Sequence, residues 1–317
     1  MMQPSKANTP GAAGFKEGEN TMANKEQKDF TELYAKVTDE IIKQMEQGII
    51  PWKKGWKAVS GAYNAKSKKY YAFINQIALG KIGAYASFKQ WQELNCKIKK
   101  GAKASYVIEW FFKVYTFTDT EKDEDGNEIK NERQYKKWYP RIYPVFHESQ
   151  VEGYTAPDME EIEKPDPIQA AEEVIENFKS FSGIRKIINN EQSDKAYYSP
   201  VMDYIQVPMI EQYENANEYY STLFHEMTHS TGHSSRLDRG LNTKLAAFGS
   251  QDYSKEELVA ELGSAMCCTR LGIDTPETMT NSAAYLQGWL KALKDDKSLL
   301  ISAASYAEKA TRYIFND

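Results

Sequence analysis

The run His225-Glu226-Met227-Thr228-His229 constrains this chain more than any other feature. Histidines four apart share a face on an α-helix, so the run predicts a helix from about Asn217 to Gly232 that offers two imidazoles to one ion. Glu226, one residue along, is placed to take a proton from a water that the ion polarises. Zinc lowers the pKa of such a water towards ~7. Tyr219, Tyr220, Leu223, Phe224 and Met227 supply an apolar side for packing. The five-residue pattern also arises by chance, as a polar helix face with two surface histidines. Against that, the chain holds 4 His and three of them, His225, His229 and His233, lie in this one stretch.

Zinc peptidase sites use three protein ligands and leave one position open. A third histidine would belong six residues after His229, following a glycine three after it. Gly232 occupies the glycine position, but Ser235 stands at the last one. His233 comes two residues early, as a helix-end residue or a group supporting a ligand. The stronger candidates are carboxylates in Glu256-Glu257-Leu258-Val259-Ala260-Glu261. Glu257 and Glu261 share a helix face, so one can bind metal while the other accepts the remaining N–H of a histidine. Ser254-x-x-Glu257 is also a capping box, and if Glu257 turns back to cap the helix, Glu261 becomes the ligand. Glu257 is the favoured choice.

Charge divides the chain. Residues 31–115 carry 15 Lys, no Arg and 6 acidic residues, a local balance of +9 within a net charge of −5, which leaves −14 elsewhere. A basic block on an acidic chain suits a polyanionic partner, and equally a solvated lysine surface. The 3 Cys form neither a disulfide framework nor a Cys-x-x-Cys knuckle, which fits a reducing compartment. With no apolar run long enough to cross a bilayer and no secretory signal, a cytoplasmic protein without a membrane partner is expected.

The pattern divides into a disordered tail over 1–28 (Met22 offering a second start), a first domain over 29–155, a linker over 156–167 and a second domain over 168–317. A helix is predicted where Leu33, Val37, Ile41, Ile42 and Met45 recur, stopped by Gly48. Ser87 caps a helix over Phe88–Leu94, and Ser105–Phe117 is strongly β-forming. A charged insertion over Thr118–Lys137 surrounds the hairpin signal Asp125-Gly126-Asn127, and a strand resumes over Arg141–Val151. In the second domain a strand pair over Ala196–Pro208 turns at Pro200–Asp203. Helices follow over Ser254–Leu271 and Ala283–Phe315. The fold class is α+β throughout.

Lysines interleave with aromatic residues in Pro51-Trp52-Lys53-Lys54-Gly55-Trp56 and from Asn64 to Asn75, including Lys69 and Tyr71. Such a pattern suits single-stranded nucleic acid, with ammonium groups on phosphates and rings on unpaired bases at ~1–3 kcal/mol per stack. Lys99 and Lys100 flank a glycine turn where backbone can approach a phosphate. Trp52, Trp56 and Trp91 equally read as core.

Both halves resemble the ArdC family of antirestriction proteins. The first match includes Gly48 with Pro51-Trp52 and Trp56, Asn64 with Lys69, Tyr71 and Asn75, Ser87-Phe88-Lys89-Gln90, and Val145-Phe146-His147. The second includes Tyr219-Tyr220, Thr222 to Glu226, Thr231-Gly232-His233 and Glu256 to Gly263. The resemblance implies a mixed α/β single-stranded-DNA-binding domain followed by a small zincin-like metallopeptidase domain of the glutamate-ligand type. It also implies a Zn2+ cofactor and Glu257 as first carboxylate of a Glu-x-x-Ala-Glu variant. The chain departs from the family where Lys68 and Phe73 replace expected glycines and in its long charged insertion. The implied function is antirestriction for a mobile element, with a host defence protein as a candidate peptide substrate. The rival is a non-proteolytic protector that coats single strands and keeps zinc for structure.

Overall fold

Apolar residues at three- and four-residue spacing make α1 (Glu17–Glu46) a long amphipathic helix. In the computed structural model, residues 17–53, 61–122, 128–157, 166–241, 251–273 and 282–317 are described. Gly48, at φ +78°, turns the chain out of the helix. The tail expected over 1–28 is therefore helical from Glu17, while 1–16 lie outside the described residues.

The N-terminal region contains β1 (Ala62–Asn64), α2 (Phe73–Leu79), β2 (Gly83–Ala86), α3 (Phe88–Glu93), β3 (Lys97–Ile98), β4 (Ser105–Lys122), β5 (Glu128–His147) and β6 (Val151–Glu152). Four of these form a sheet in the order β1-β2-β5-β4, and β3 pairs with β6. Ser87 caps α3 through a reciprocal capping box with Gln90, as its sequence predicts. The charged insertion extends both strands on either side of its hairpin signal. β4 and β5 stay in antiparallel register from Ser105 opposite Val145 to Lys122 opposite Glu128, so the second strand begins at Glu128 rather than Arg141. Asp125, Gly126 and Asn127 lie outside the described residues.

The C-terminal region contains α4 (Pro167–Phe181), β7 (Lys186–Ile188), β8 (Tyr197–Ser199), β9 (Tyr204–Gln206), α5 (Ala216–Ser230), α6 (Gln251–Leu271), α7 (Ser282–Asp295) and α8 (Leu299–Phe315). β9 pairs antiparallel with β8 and parallel with β7, a strand the sequence pattern does not disclose. The single helix expected over Ala283–Phe315 is broken at Asp296–Ser298, where Asp296 Oδ1 accepts from the Ser298 N–H at 2.8 Å.

The two regions are not beads on a linker. Val37, Ile41, Ile42 and Met45 of α1 pack in one buried cluster with Trp52, Ile77 and Ile108. The same cluster takes in Leu258, Leu262 and Met266 of α6, Trp289 and Leu293 of α7, and Leu300 and Ala304 of α8. The Trp52 and Trp289 rings meet edge to face at 5.4 Å. Thr38 Oγ1 donates to the Lys297 carbonyl at 2.8 Å, and Lys297 Nζ reaches Asp39 at 2.6 Å. Each buried aliphatic side chain contributes about 1.5–3 kcal/mol, so this seam is an integral core and not a loose interface. Of the expected linker, 158–165 lie outside the described residues, and Asp166 caps α4 through the N–H groups of Ile168 and Gln169.

Ile41→Ala should therefore destabilise the whole protein by about 2–5 kcal/mol. Calorimetry should show one transition displaced as a unit. Two transitions, only one of them moved, would contradict a shared core.

Candidate metal centre and nucleic-acid surface

The histidine helix is built before any metal is considered. Asn215 caps α5 by accepting from the Glu218 N–H at 3.1 Å, and Tyr219, Tyr220, Leu223, Phe224 and Met227 bury one face against α4, the three-stranded sheet and α6. The other face presents His225 and His229. α6 approaches closely because Gly263 has no side chain: a Cβ there would lie 2.5 Å from the Thr228 methyl carbon.

That approach brings Glu257 to both rings. Glu257 Oε2 lies 3.6 Å from His225 Nε2, and its Oε1 lies 3.5 Å from His229 Nε2. The two Nε2 atoms are 3.1 Å apart. One donor atom from each of His225, His229 and Glu257 falls within 4.8 Å of the others, the cluster of metal-ligating type among the described residues. Tetrahedral bonds of ~2.0–2.1 Å place two nitrogens about 3.3 Å apart. The donor set and its spacing thus fit one divalent ion. Glu226 is buried beside the pair at 7% exposure.

A positioning group that the sequence does not announce sits behind His229. Glu256 Oε1 lies 3.3 Å from His229 Nδ1, and the Arg239 guanidinium holds both Glu256 oxygens, at 2.6 and 3.0 Å. Arg239 also donates to Thr231 Oγ1 at 2.7 Å and the Thr228 carbonyl at 2.8 Å, which ties it to the end of α5. Gly232 leaves room, since a Cβ there would meet the Arg239 guanidinium at 2.9 Å. The carboxylate beside His229 Nδ1 is thus Glu256, while Glu261, to which the sequence pattern points, acts electrostatically on His225. Glu261 lies one turn further along α6, outside the cluster of three. A second arginine, Arg236, donates to the Ser230 carbonyl at 2.6 Å and pairs with Asp203, locking the same helix end to the sheet.

His233 stands apart from the ligands. Its Nδ1 accepts from the Ser235 N–H at 3.1 Å and lies 2.8 Å from Ser235 Oγ. The side chain of Ser254, the candidate cap, falls outside the described residues.

The site's electrostatics favour a dication. Burial works against a charged His229, yet its hydrogen bonds to Glu256 and Glu257 win and raise its pKa to about 10. His225 is also raised: burial opposes, and the contacts with Glu257 prevail. Burial likewise opposes ionisation of Glu257, but the two histidines hold it well below the usual carboxylate range. In the metal-free protein the two histidines hold protons that an ion must displace.

The expected DNA-contacting residues separate by burial. Trp52 is fully buried in the shared core, so its ring cannot stack on a base. Asn75 is buried too and clamps β4, its amide donating to the Ile108 carbonyl and accepting from the Ile108 N–H, both at 2.8 Å. Tyr71 is largely buried, its hydroxyl near Asn64 Nδ2 at 3.2 Å. Asn64 Oδ1 caps a tight turn through the Lys66 and Ser67 N–H groups. These four hold the fold. Lys69, Lys99 and Lys100 are exposed, as are Tyr70 and Phe88. The Lys53 side chain, Lys54 and Trp56 lie outside the described residues. Trp91, read as core, is fully buried. Lys68, which replaces an expected glycine, has φ +60°, a region where a side chain is strained.

Comparisons with known proteins agree with this architecture. Residues 31–146 match the N-terminal domain of anti-restriction factor ArdC, and residues 173–306 match a zincin-like metallopeptidase. The protein y4eC of Sinorhizobium fredii is 32% identical over 291 residues, covering 88% of this chain and 90% of its own length. A DNA primase TraC of Escherichia coli is 32% identical over 298 residues, which cover 89% of this chain but 27% of TraC. The metal-free crystal structure of antirestriction protein ArdC from plasmid R388 is 34% identical, with a TM-score of 0.62, over 89% of this chain and 96% of that one. Its Mn(II)-bound structure is 32% identical, with a TM-score of 0.64, over 90% and 97% respectively.

Three outcomes test the site. Arg239→Met, which frees Glu256, should weaken divalent-metal affinity roughly 10–100-fold in a chelator competition while the fold persists; unchanged affinity would remove the positioning role. Metal uptake by the wild type should release protons, and affinity should climb as pH rises towards the His229 value of about 10. Calorimetry that finds uptake independent of pH would contradict histidine ligation. Lys68→Gly should stabilise the protein by about 1 kcal/mol through relief of the left-handed turn, and a loss of stability in urea titration would refute the strain.

Proposed function

We propose, because this chain belongs to the ArdC antirestriction family, that it is an antirestriction protein of a mobile element that binds single-stranded DNA and carries a zinc-dependent metallopeptidase domain. The observation that carries the enzymatic half is the convergence of His225, His229 and Glu257 beside the buried Glu226. The role for a mobile element rests on the solved relative, a plasmid's antirestriction protein.

Zn2+ is the ion of choice for a His2Glu set, and when bound it supplies Lewis-acid polarisation of a carbonyl and a water of pKa ~7. His225, His229 and Glu257 would hold it, with Glu256 and Arg239 fixing the His229 ring. Glu226 takes the proton from the attacking water and returns it to the leaving amine. Among the described residues β8 pairs only with β9, so its outer edge is available to an extended peptide by strand addition. A host defence protein is the substrate class we favour. Reduced, buried cysteines at Cys96, Cys267 and Cys268 suit the cytoplasm, and no helix among the described residues is long and apolar enough to cross a membrane.

The single-strand half rests on the exposed lysines and on exposed rings such as Tyr70 and Phe88, at 40% and 56%. A second reading has its own support. α6 places Glu256 and Glu257 at the metal site and Leu258, Leu262 and Met266 in the core shared with α1, so a metal there would also brace the DNA-binding region without any cleavage.

Glu226→Gln separates the two. Metal and DNA binding should persist while peptide cleavage falls at least 100-fold, at the lower end of what a general base contributes (~10²–10⁴-fold). Protection against restriction that survives this change undiminished would show that proteolysis is not the mechanism.

A further inference from the structure

Beyond the four-stranded sheet, β4 and β5 continue as a two-stranded arm whose register sorts side chains by face. Glu109 lies opposite Arg141, Phe111 opposite Tyr139, Lys113 opposite Lys137 and Tyr115 opposite Tyr135, all on one face. Two ring pairs therefore bracket a pair of lysines. Phe111 and Tyr139 stack with centroids 5.7 Å apart at 25°, and Tyr115 and Tyr135 at 5.4 Å and 18°. The Tyr115 and Tyr139 hydroxyls, 2.6 Å apart, tie one ring pair to the next. Lys113 Nζ and Lys137 Nζ each lie 5.3 Å from the Tyr139 centroid, and the Arg141 guanidinium lies 4.6 Å from that of Phe111.

Over the described side chains from Glu109 to Arg133, charge on this face is predominantly positive. Among its described side chains Lys113, Arg133, Lys137 and Arg141 are cationic, and Glu109 is the single carboxylate. Like charges set directly opposite each other destabilise a ribbon, and although Tyr139 is buried at the base of the arm, the outer ring pair is not fully covered. Tyr135 is 50% exposed even while stacked. Both features are unfavourable in isolation and favourable against a partner that alternates negative charge with flat apolar groups. The reverse face differs: Trp110, Phe112 and Val114 are exposed there, but its described charges in the arm are Lys136 and Glu132, which balance.

We infer that the Phe111–Tyr115 and Arg133–Arg141 face of the arm is a docking surface for single-stranded nucleic acid. Its outer rings, Tyr115 and Tyr135, receive unpaired bases, the buried Tyr139 ring supports them through its hydroxyl, and the Lys113–Lys137 pair, with Arg133 and Arg141, receives phosphates. The inference rests on the single-strand function proposed for the chain and places its main surface on the arm, away from Trp52, Tyr71 and Asn75. Paired bases keep their faces in the stack, so duplex DNA would meet only the cations here.

Fluorescence anisotropy with a labelled thymidine oligonucleotide, on the full chain, tests this directly. Lys113→Gln/Lys137→Gln should weaken binding and lower the slope of log affinity against log salt by about 0.7 for each phosphate no longer neutralised. Tyr115→Leu/Tyr135→Leu, which keeps the arm apolar, should weaken binding on the order of tenfold or more. Phe112→Ser/Val114→Ser on the reverse face should bind as the wild type does, a control for simple damage to the arm. If the wild type binds and both face variants bind equally well, the arm assignment is overturned while the single-strand reading stands. Equal weakening by the reverse-face variant also overturns it. A wild type that binds no single strand at low salt, or binds duplex as tightly, overturns both.

Discussion

Everything in this molecule depends on where α6 is held. One part of it delivers Glu256 and Glu257 to the histidines of α5, and another buries Leu258, Leu262 and Met266 against α1, α7 and α8. Those helices are close-packed, and packed interiors transmit displacement rather than absorb it. A shift of α6 by the width of a methyl group would therefore open the metal cluster and the core shared with the N-terminal region together. The absence of a side chain at Gly263 is what lets α6 approach Thr228 closely enough for this coupling.

Gathering carboxylates and imidazoles in a half-buried site is electrostatically expensive, and the chain offsets that in two ways. Arg239 neutralises Glu256 and carries its orientation to His229 through hydrogen bonds whose other ends are fixed on the α5 terminus. Glu257 is left to face both rings, which in the metal-free protein keep their protons against the pull of burial. The site is thus arranged in advance for a cation, and ligands held by their neighbours gain affinity because little ordering remains to be done on binding.

Local signals are legible in the sequence and long-range ones are not. The histidine spacing, the α1 stripe, the Ser87 cap and the β-forming run from Ser105 are all written within a few residues of themselves. Trp52 reads as either a stacking ring or core, and only its contact with Trp289, far away in sequence, decides for core. Asn75 reads as a surface amide because its partner, Ile108, belongs to another element. Glu261 outranks Glu256 on sequence because helix periodicity orders residues on one helix and says nothing of how a second helix crosses it. The insertion shows its hairpin signal, but lysines and glutamates mask the strand alternation on either side of it that the register makes plain.

The most direct test is X-ray absorption spectroscopy of the zinc-loaded protein. The structure predicts one zinc with two imidazole nitrogens at ~2.0–2.1 Å, oxygen ligands and no sulfur. In Glu257→Gln the imidazole signal should remain while the oxygen shell changes. A spectrum without imidazole, one with sulfur ligands, or one unaltered by the Glu257 change would contradict the assignment of His225, His229 and Glu257 as the metal centre.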